Sequence, residues 1–308
     1  MLGVVTGFAV VWIIILTGYA IGRLRVLGDN AQTVLSRLAF FIASPALLLI
    51  TLSEADLHTV FSLPLLVAAA SAVATAGLYV LATRWWLRRP RPEALIAAMS
   101  SSLVNAANLG LPICVYVLGD AAYIAPVLIF QLALYTPFFL MMLDSATSGR
   151  RTSPGIFVRQ VARNPIVVGS LLGLLLAVTG TELPEIVREP VSLIGGAAVP
   201  AMLLAFGLSL VGSRPLDADG GRRADVLLAS AFKLLLQPAL AYLLARFVLG
   251  MDGHLLFAVV VTAALPTAQN VFVAASRYNE GVLTAKDTVL LTTLTSFPVM
   301  ILAAALLT

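Results

Sequence analysis

Apolar runs of about 20 residues, the length that carries an α-helix across a bilayer, recur along this chain, and no other feature limits its fold so sharply. They cover 3–22, 32–52, 60–83, 94–118, 121–143, 157–179, 188–211, 225–249, 254–276 and 285–307. Short polar links join them, the longest running from Ser145 to Pro154 at the midpoint. Charged residues make up 11% of the chain, against about 25% in a soluble domain. So few charges cannot cover a water-facing surface, so lipid must be the main solvent. In lipid, backbone groups must satisfy one another, which leaves helices or closed barrels. Barrel strands are short and alternate in polarity, whereas these runs are long and continuous. The expected fold class is an all-α membrane protein of ten transmembrane helices. No convincing cleavage site follows the first run, which therefore reads as a retained helix.

The basic residues test that count. Sixteen of the 19 Lys and Arg fall in or beside the odd-numbered loops, among them Arg23, Arg25, Arg84, Arg88, Arg89, Arg91, Arg150, Arg151, Arg222 and Arg277. Arg188 and Arg246 flank even-numbered loops, and Lys233 lies inside the eighth run. Loop lysines and arginines mark the cytoplasmic side. The reading is a multi-pass protein of the cell (inner) membrane with both termini outside, its first partner being the lipid bilayer. A pI of 9.5 could suggest nucleic acid, but charge spread over short loops follows topology, and no nucleic-acid partner is expected. Cys114 is the only cysteine, and His58 and His254 are far apart, so no metal or cofactor is expected.

Ten spans divide into five and five, and an odd number per half makes the second half enter the membrane in the opposite sense. Residues 1–150 and 151–308 would then be inverted repeats, a plan many secondary transporters share. Two matches support it. Ser44-Pro45-Ala46-Leu47-Leu48 resembles Val199-Pro200-Ala201-Met202-Leu203 at an offset of 155, and Asn105-Ala106-Ala107-Asn108 resembles Thr267-Ala268-Gln269-Asn270 at an offset of 162.

The fourth and ninth runs differ from the others. The fourth holds Asn105, Asn108, Gly110 and Pro112, and the ninth holds Pro266, Thr267, Gln269 and Asn270. Proline removes a backbone donor and clashes with the preceding turn. Unwound backbone at membrane depth is tolerated only inside protein or along a watery cavity. A half-helix N-terminus attracts anions, and the amides beside it offer neutral hydrogen bonds. Lys233 is a charge inside a span, which is functional by default. It could pair with an anionic substrate or stand in for a bound cation near the crossing, or its stem could snorkel to the interface. No carboxylate pair falls mid-membrane. Asp56 and Glu54, at the outer end of the second run, read as proton sites or as solvated loop charges. Gln131 and Tyr135 lie one turn apart in the fifth run and could line a pocket; Tyr135-Thr136-Pro137 could equally be a kink. Gly18/Gly22 and Gly169/Gly173 read as close helix packing. Trp85 and Trp86 read as an interfacial belt.

Ser101-Ser102-Leu103-Val104-Asn105, then Gly110-Leu111-Pro112, then Leu265-Pro266-Thr267, set in a ten-span plan, resemble the auxin efflux carrier family. That family includes plant auxin exporters and bacterial malate or malonate permeases. The resemblance covers nearly the whole chain. It implies two five-helix inverted repeats that together form a scaffold domain and a transport domain, with broken helices crossing in the latter. Asn105 matches an asparagine after the first crossover position, and Pro266 matches the second crossover proline. Val104 stands where the first crossover proline would be, so that break is expected to be less sharp. Gln131 and Tyr135 resemble pocket residues of the fifth helix. Val104, Gly110, Pro112, Pro45 and Pro200 are the expected hinge positions, with Lys233 and Asp56 as charge-compensating or coupling groups. The implied function is secondary transport of a small organic anion by elevator-type alternating access, in a homodimer as in many family members. Other readings are a cation/proton exchanger of the same fold and a membrane sensor that moves nothing. An enzyme is not expected, because no catalytic constellation lies inside the bilayer.

Overall fold

The computed structural model describes residues 2–28, 30–54, 63–148, 155, 159, 162–212 and 222–307. Among them it is helical, with no strand beyond one isolated bridge. The helices are α1 Leu2–Arg23, α2 Ala31–Ser53, α3 Leu63–Leu87, α4 Arg91–Ser102, α5 Ala106–Leu118 and α6 Ala121–Thr147. They continue with α7 Pro165–Thr179, α8 Glu185–Ser209, α9 Arg223–Val248, α10 Gly253–Ala263, α11 Gln269–Tyr278 and α12 Val282–Leu307. Six of these, α2, α3, α6, α8, α9 and α12, are long and apolar enough to cross a membrane. Their 23 to 27 residues reach about 35–40 Å at 1.5 Å per residue, more than the hydrocarbon core of about 30 Å. Large apolar side chains such as Leu16, Leu171, Leu193 and Leu235 stand exposed, as lipid-facing residues do.

The chain breaks where sequence and backbone chemistry meet. α7 starts at Pro165 because Asn164 Oδ1 accepts from Ile166 N and Val167 N at 3.1 and 3.4 Å, and proline at the first turn has no N–H to lose. At four places the helices run through a proline by widening the turn ahead. π turns span Ala39–Ala43, Ala106–Gly110, Phe130–Tyr135 and Phe232–Leu236. Pro45, Pro112, Pro137 and Pro238 each follow two residues after one of them. A π turn takes up the carbonyl that a proline ring would otherwise strike. Pro200 instead follows a single non-helical turn residue, Ala197, within α8.

The chain forms two compact units, each of three chain segments. The first comprises Met1–Ser62, Ala106–Leu132 and Gln160–Ser213. In it α1 packs on α8 and α7 packs on α2, through glycines that admit no side chain. A Cβ on Gly18 would lie 2.5 Å from the Leu204 carbonyl oxygen, and one on Gly173 would lie 2.6 Å from that of Leu49. A Cβ on Gly207 would strike the Ile15 carbonyl, and one on Gly169 would lie 2.5 Å from the Pro45 carbonyl. The paired glycines are therefore packing devices, as their spacing suggests. Glu54 is exposed and bonded to Arg188 at 2.6 Å.

The second unit comprises Leu63–Asn105, Ala133–Arg159 and Arg214–Thr308. At one end Arg89 grips Asp225 through two parallel hydrogen bonds of 3.1 and 2.8 Å, and Arg222 pairs with Glu93 at 2.6 Å. The bond to Asp225 raises the Arg89 guanidinium above its usual range. Asp225 lies near a helix end, yet it is buried, and so is Asp287.

Candidate functional site

The two interrupted runs meet in the second unit. α4 ends at Ser102, and Leu103 turns to extended backbone (φ −85°, ψ 110°). Val104 then pairs antiparallel with Thr267. Two backbone bonds close the crossing: Asn105 N donates to Pro266 O at 2.7 Å, and Ala268 N donates to Leu103 O at 2.9 Å. The first break is therefore complete although Val104 is not a proline, which corrects the softer break expected there. The reason is that the pairing, not a proline ring, holds the backbone out of the helix. Buried peptide groups must be bonded, and here each broken strand satisfies the other.

Side chains fasten the crossing. Thr267 is fully buried; its Oγ1 donates to Ser100 O at 2.5 Å, and its backbone N donates to Thr292 Oγ1 at 3.1 Å. The carbonyl ends of α4 and α10 converge on one pair of side chains from α9. Lys233 Nζ donates to Ala263 O at 2.7 Å and to Gln237 Oε1 at 2.6 Å. Gln237 Nε2 in turn donates to Ser102 O at 3.0 Å. Helix C-termini carry partial negative charge and orphan carbonyls; Lys233 answers the one at α10 and Gln237 the one at α4. Lys233 is fully buried, so the snorkelling alternative does not occur. Gln237 went unnoticed in the sequence, although its position four residues after Lys233 places both on one helical face.

Tyr135 is brought to the same place. Its hydroxyl lies 2.7 Å from Ser102 Oγ and donates to Ala72 O at 3.3 Å, so it braces α4 against α3. Gln269 begins α11 half-buried, and Asn270 beside it is exposed. The second unit thus gathers Asn105, Pro266, Thr267, Gln269, Asn270, Tyr135 and Lys233. The remaining predicted residues lie in the first unit: Asn108, Gly110 and Pro112 on α5, Gln131 on α6, Pro45 on α2 and Pro200 on α8. Pro45 packs against Gly169 while Pro200 is exposed. Asp56 and His58, with Arg150, Arg151 and Arg214, lie outside the described residues.

Comparison with known proteins agrees with this architecture. Residues 4–303 match the family model described as membrane transport protein. The chain is 26% identical over 291 residues to a Rhizobium meliloti (strain 1021) protein named "Putative malonate transporter", covering 92% of this chain and 89% of that one. It is 24% identical over 278 residues to the Escherichia coli (strain K12) protein named "Uncharacterized transporter YfdV", covering 87% and 86%. A shorter match, 30% over 125 residues, reaches auxin efflux carrier component 1 of Arabidopsis thaliana and covers 39% of this chain and 20% of the plant protein. The chain belongs to the membrane transport protein family, that of the auxin efflux carriers, and is a membrane transporter rather than an enzyme.

Proposed function

We propose that this transporter is a secondary carrier for a small organic anion, with its substrate site at the crossover in the second unit. One observation carries the reading: both helix breaks and the buried Lys233 are bonded into a single arrangement. Asn105, Gln269, Asn270 and the start of α11 supply the amides and N–H groups that a carboxylate needs. Lys233 and Gln237 neutralise the opposite, carbonyl-bearing ends. Malonate heads the candidate substrates, because it is named for a relative matched over most of both chains.

An inverted repeat of two five-span halves, 1–150 and 151–308, is part of the same proposal. Packing inside the first unit supports it. Adding 155 to Gly18 gives Gly173, and subtracting 155 from Leu204 gives Leu49; the two close glycine contacts exchange under the offset that relates Pro45 to Pro200. In the elevator reading the second unit is the transport domain and the first the scaffold, in a homodimer. The loop arginines favour a cell membrane orientation with both termini outside.

The test is charge movement on a solid-supported membrane, using purified protein in liposomes and a panel of malonate, malate, succinate and indole-3-acetate. We expect a saturable current with at least one of them, reduced tenfold or more in Asn105→Ala. Currents driven by sodium or protons alone, unchanged by any carboxylate, would overturn the anion reading.

A further inference from the structure

The link between α3 and α4 surrounds a cavity that the crossover does not use. Arg84, Arg88, Arg89 and Arg91 rim a space of about 780 Å³. Its floor is apolar, formed by Val80, Leu95, Phe138, Met141 and Met142. All of these residues belong to the second unit. Arg89 is committed to Asp225. The guanidinium groups of Arg84, Arg88 and Arg91 make no hydrogen bond or ion pair among the described residues, and all three residues are exposed. Three unanswered guanidinium groups therefore stand around a greasy hollow.

The backbone holds them there. α3 closes on a π turn, Thr83–Leu87, and Arg88 then takes a left-handed conformation (φ 50°, ψ 46°). Its N–H returns to Thr83 O at 2.6 Å. A non-glycine residue rarely adopts that conformation, and it persists only where its surroundings enforce it. Pro90 and Pro92 stiffen the chain beyond. Trp85 and Trp86 stand exposed beside the rim, and tryptophan at a helix end marks the headgroup level of a membrane.

We propose that this cavity binds an anionic phospholipid, with its phosphate among Arg84, Arg88 and Arg91 and the upper part of an acyl chain over Phe138, Met141 and Met142. Arginine forks match phosphate oxygens in pairs, and basic pockets between membrane helices select acidic headgroups. The floor decides the class of ligand. Free phosphate or a sugar phosphate would leave it facing water, whereas a lipid covers it.

Native mass spectrometry of the delipidated full chain, titrated with phosphatidylglycerol or phosphatidylcholine of identical acyl chains, tests the assignment. Wild type should hold phosphatidylglycerol at least tenfold more tightly. Arg84→Gln/Arg91→Gln should bring the two lipids within about threefold of each other. Met142→Trp fills the floor and keeps every charge, and should weaken phosphatidylglycerol at least fivefold, so the assignment remains testable if the arginine variant fails to fold. Phosphatidylglycerol binding unchanged in both variants would overturn the site. Displacement of the lipid by millimolar inorganic phosphate would reassign it to a soluble anion.

Discussion

In the first unit α1 meets α8 where Gly18 faces the carbonyl of Leu204, backbone against backbone. In the second, the ends of α4 and α10 meet through Lys233 and Gln237, which bridge two carbonyls with side-chain bonds. Lipid offers no hydrophobic drive for one helix to seek another, so membrane helices associate through close packing or through polar bonds. This chain keeps the two devices apart. The glycine contacts involve no polar side chain that could change partners. The crossover consists of buried polar groups whose bonds depend on an intact set, and it is the region proposed to hold substrate.

The contrast can be broken by mutation, beginning with the first unit. In Gly207→Val the new side chain meets Ile15 O, with Tyr19 N at 2.7 Å and Gly18 C at 2.9 Å. Overpacking usually costs about 1–3 kcal/mol and sometimes more; against backbone on three sides we expect the top of that range or beyond. Gel filtration should show loss of most monodisperse protein, and a normal profile would mean that close approach does not hold this unit.

Next in size is Lys233→Met, which strips Ala263 O and Gln237 Oε1 of their donor. Each buried group left unsatisfied costs about 1–3 kcal/mol. A fall in thermal midpoint with transport reduced at least a hundredfold is expected. Lys233→Arg should restore part of the stability and less of the transport, since a guanidinium fork does not reproduce two bonds from one nitrogen.

Thr267→Val keeps the shape of the side chain and leaves Ser100 O without its hydroxyl donor. About 1–2 kcal/mol should be lost, read as a lower melting temperature, while the crossing itself persists through Asn105 N and Ala268 N. A loss as large as that of Lys233→Met would show that the threonine carries the crossover.

Much of this molecule could be read from its letters, for reasons that differ by region. Among the described residues, six of the ten apolar runs form helices long and apolar enough to cross a membrane, because bilayer thickness sets a length that sequence displays directly. Pro266 announced its break, and Gly169/Gly173 announced their contact. The completeness of the break at Val104 could not be seen, because it is made by a partner segment 163 positions away rather than by the residue itself. Lys233 was visible as a charge in an apolar run, yet its targets are carbonyl oxygens, which every residue has and no sequence marks. Arg89 and Asp225 are separated in the same way: each looks like a loop charge until folding buries the carboxylate. The interleaving of the units is equally hidden, since Asn105 and Ala106 are neighbours in the chain and belong to different units.

The bonds that fix the crossover, from Ser100 to Thr292, all close within one unit. On the proposed elevator reading, a carrier of that construction would take its site along unaltered when the unit travels, gripping the solute equally well on departure and on arrival. Such a device would have no preferred direction of its own. It would act as a reversible shuttle, with the sense of net flux left to concentration and membrane voltage.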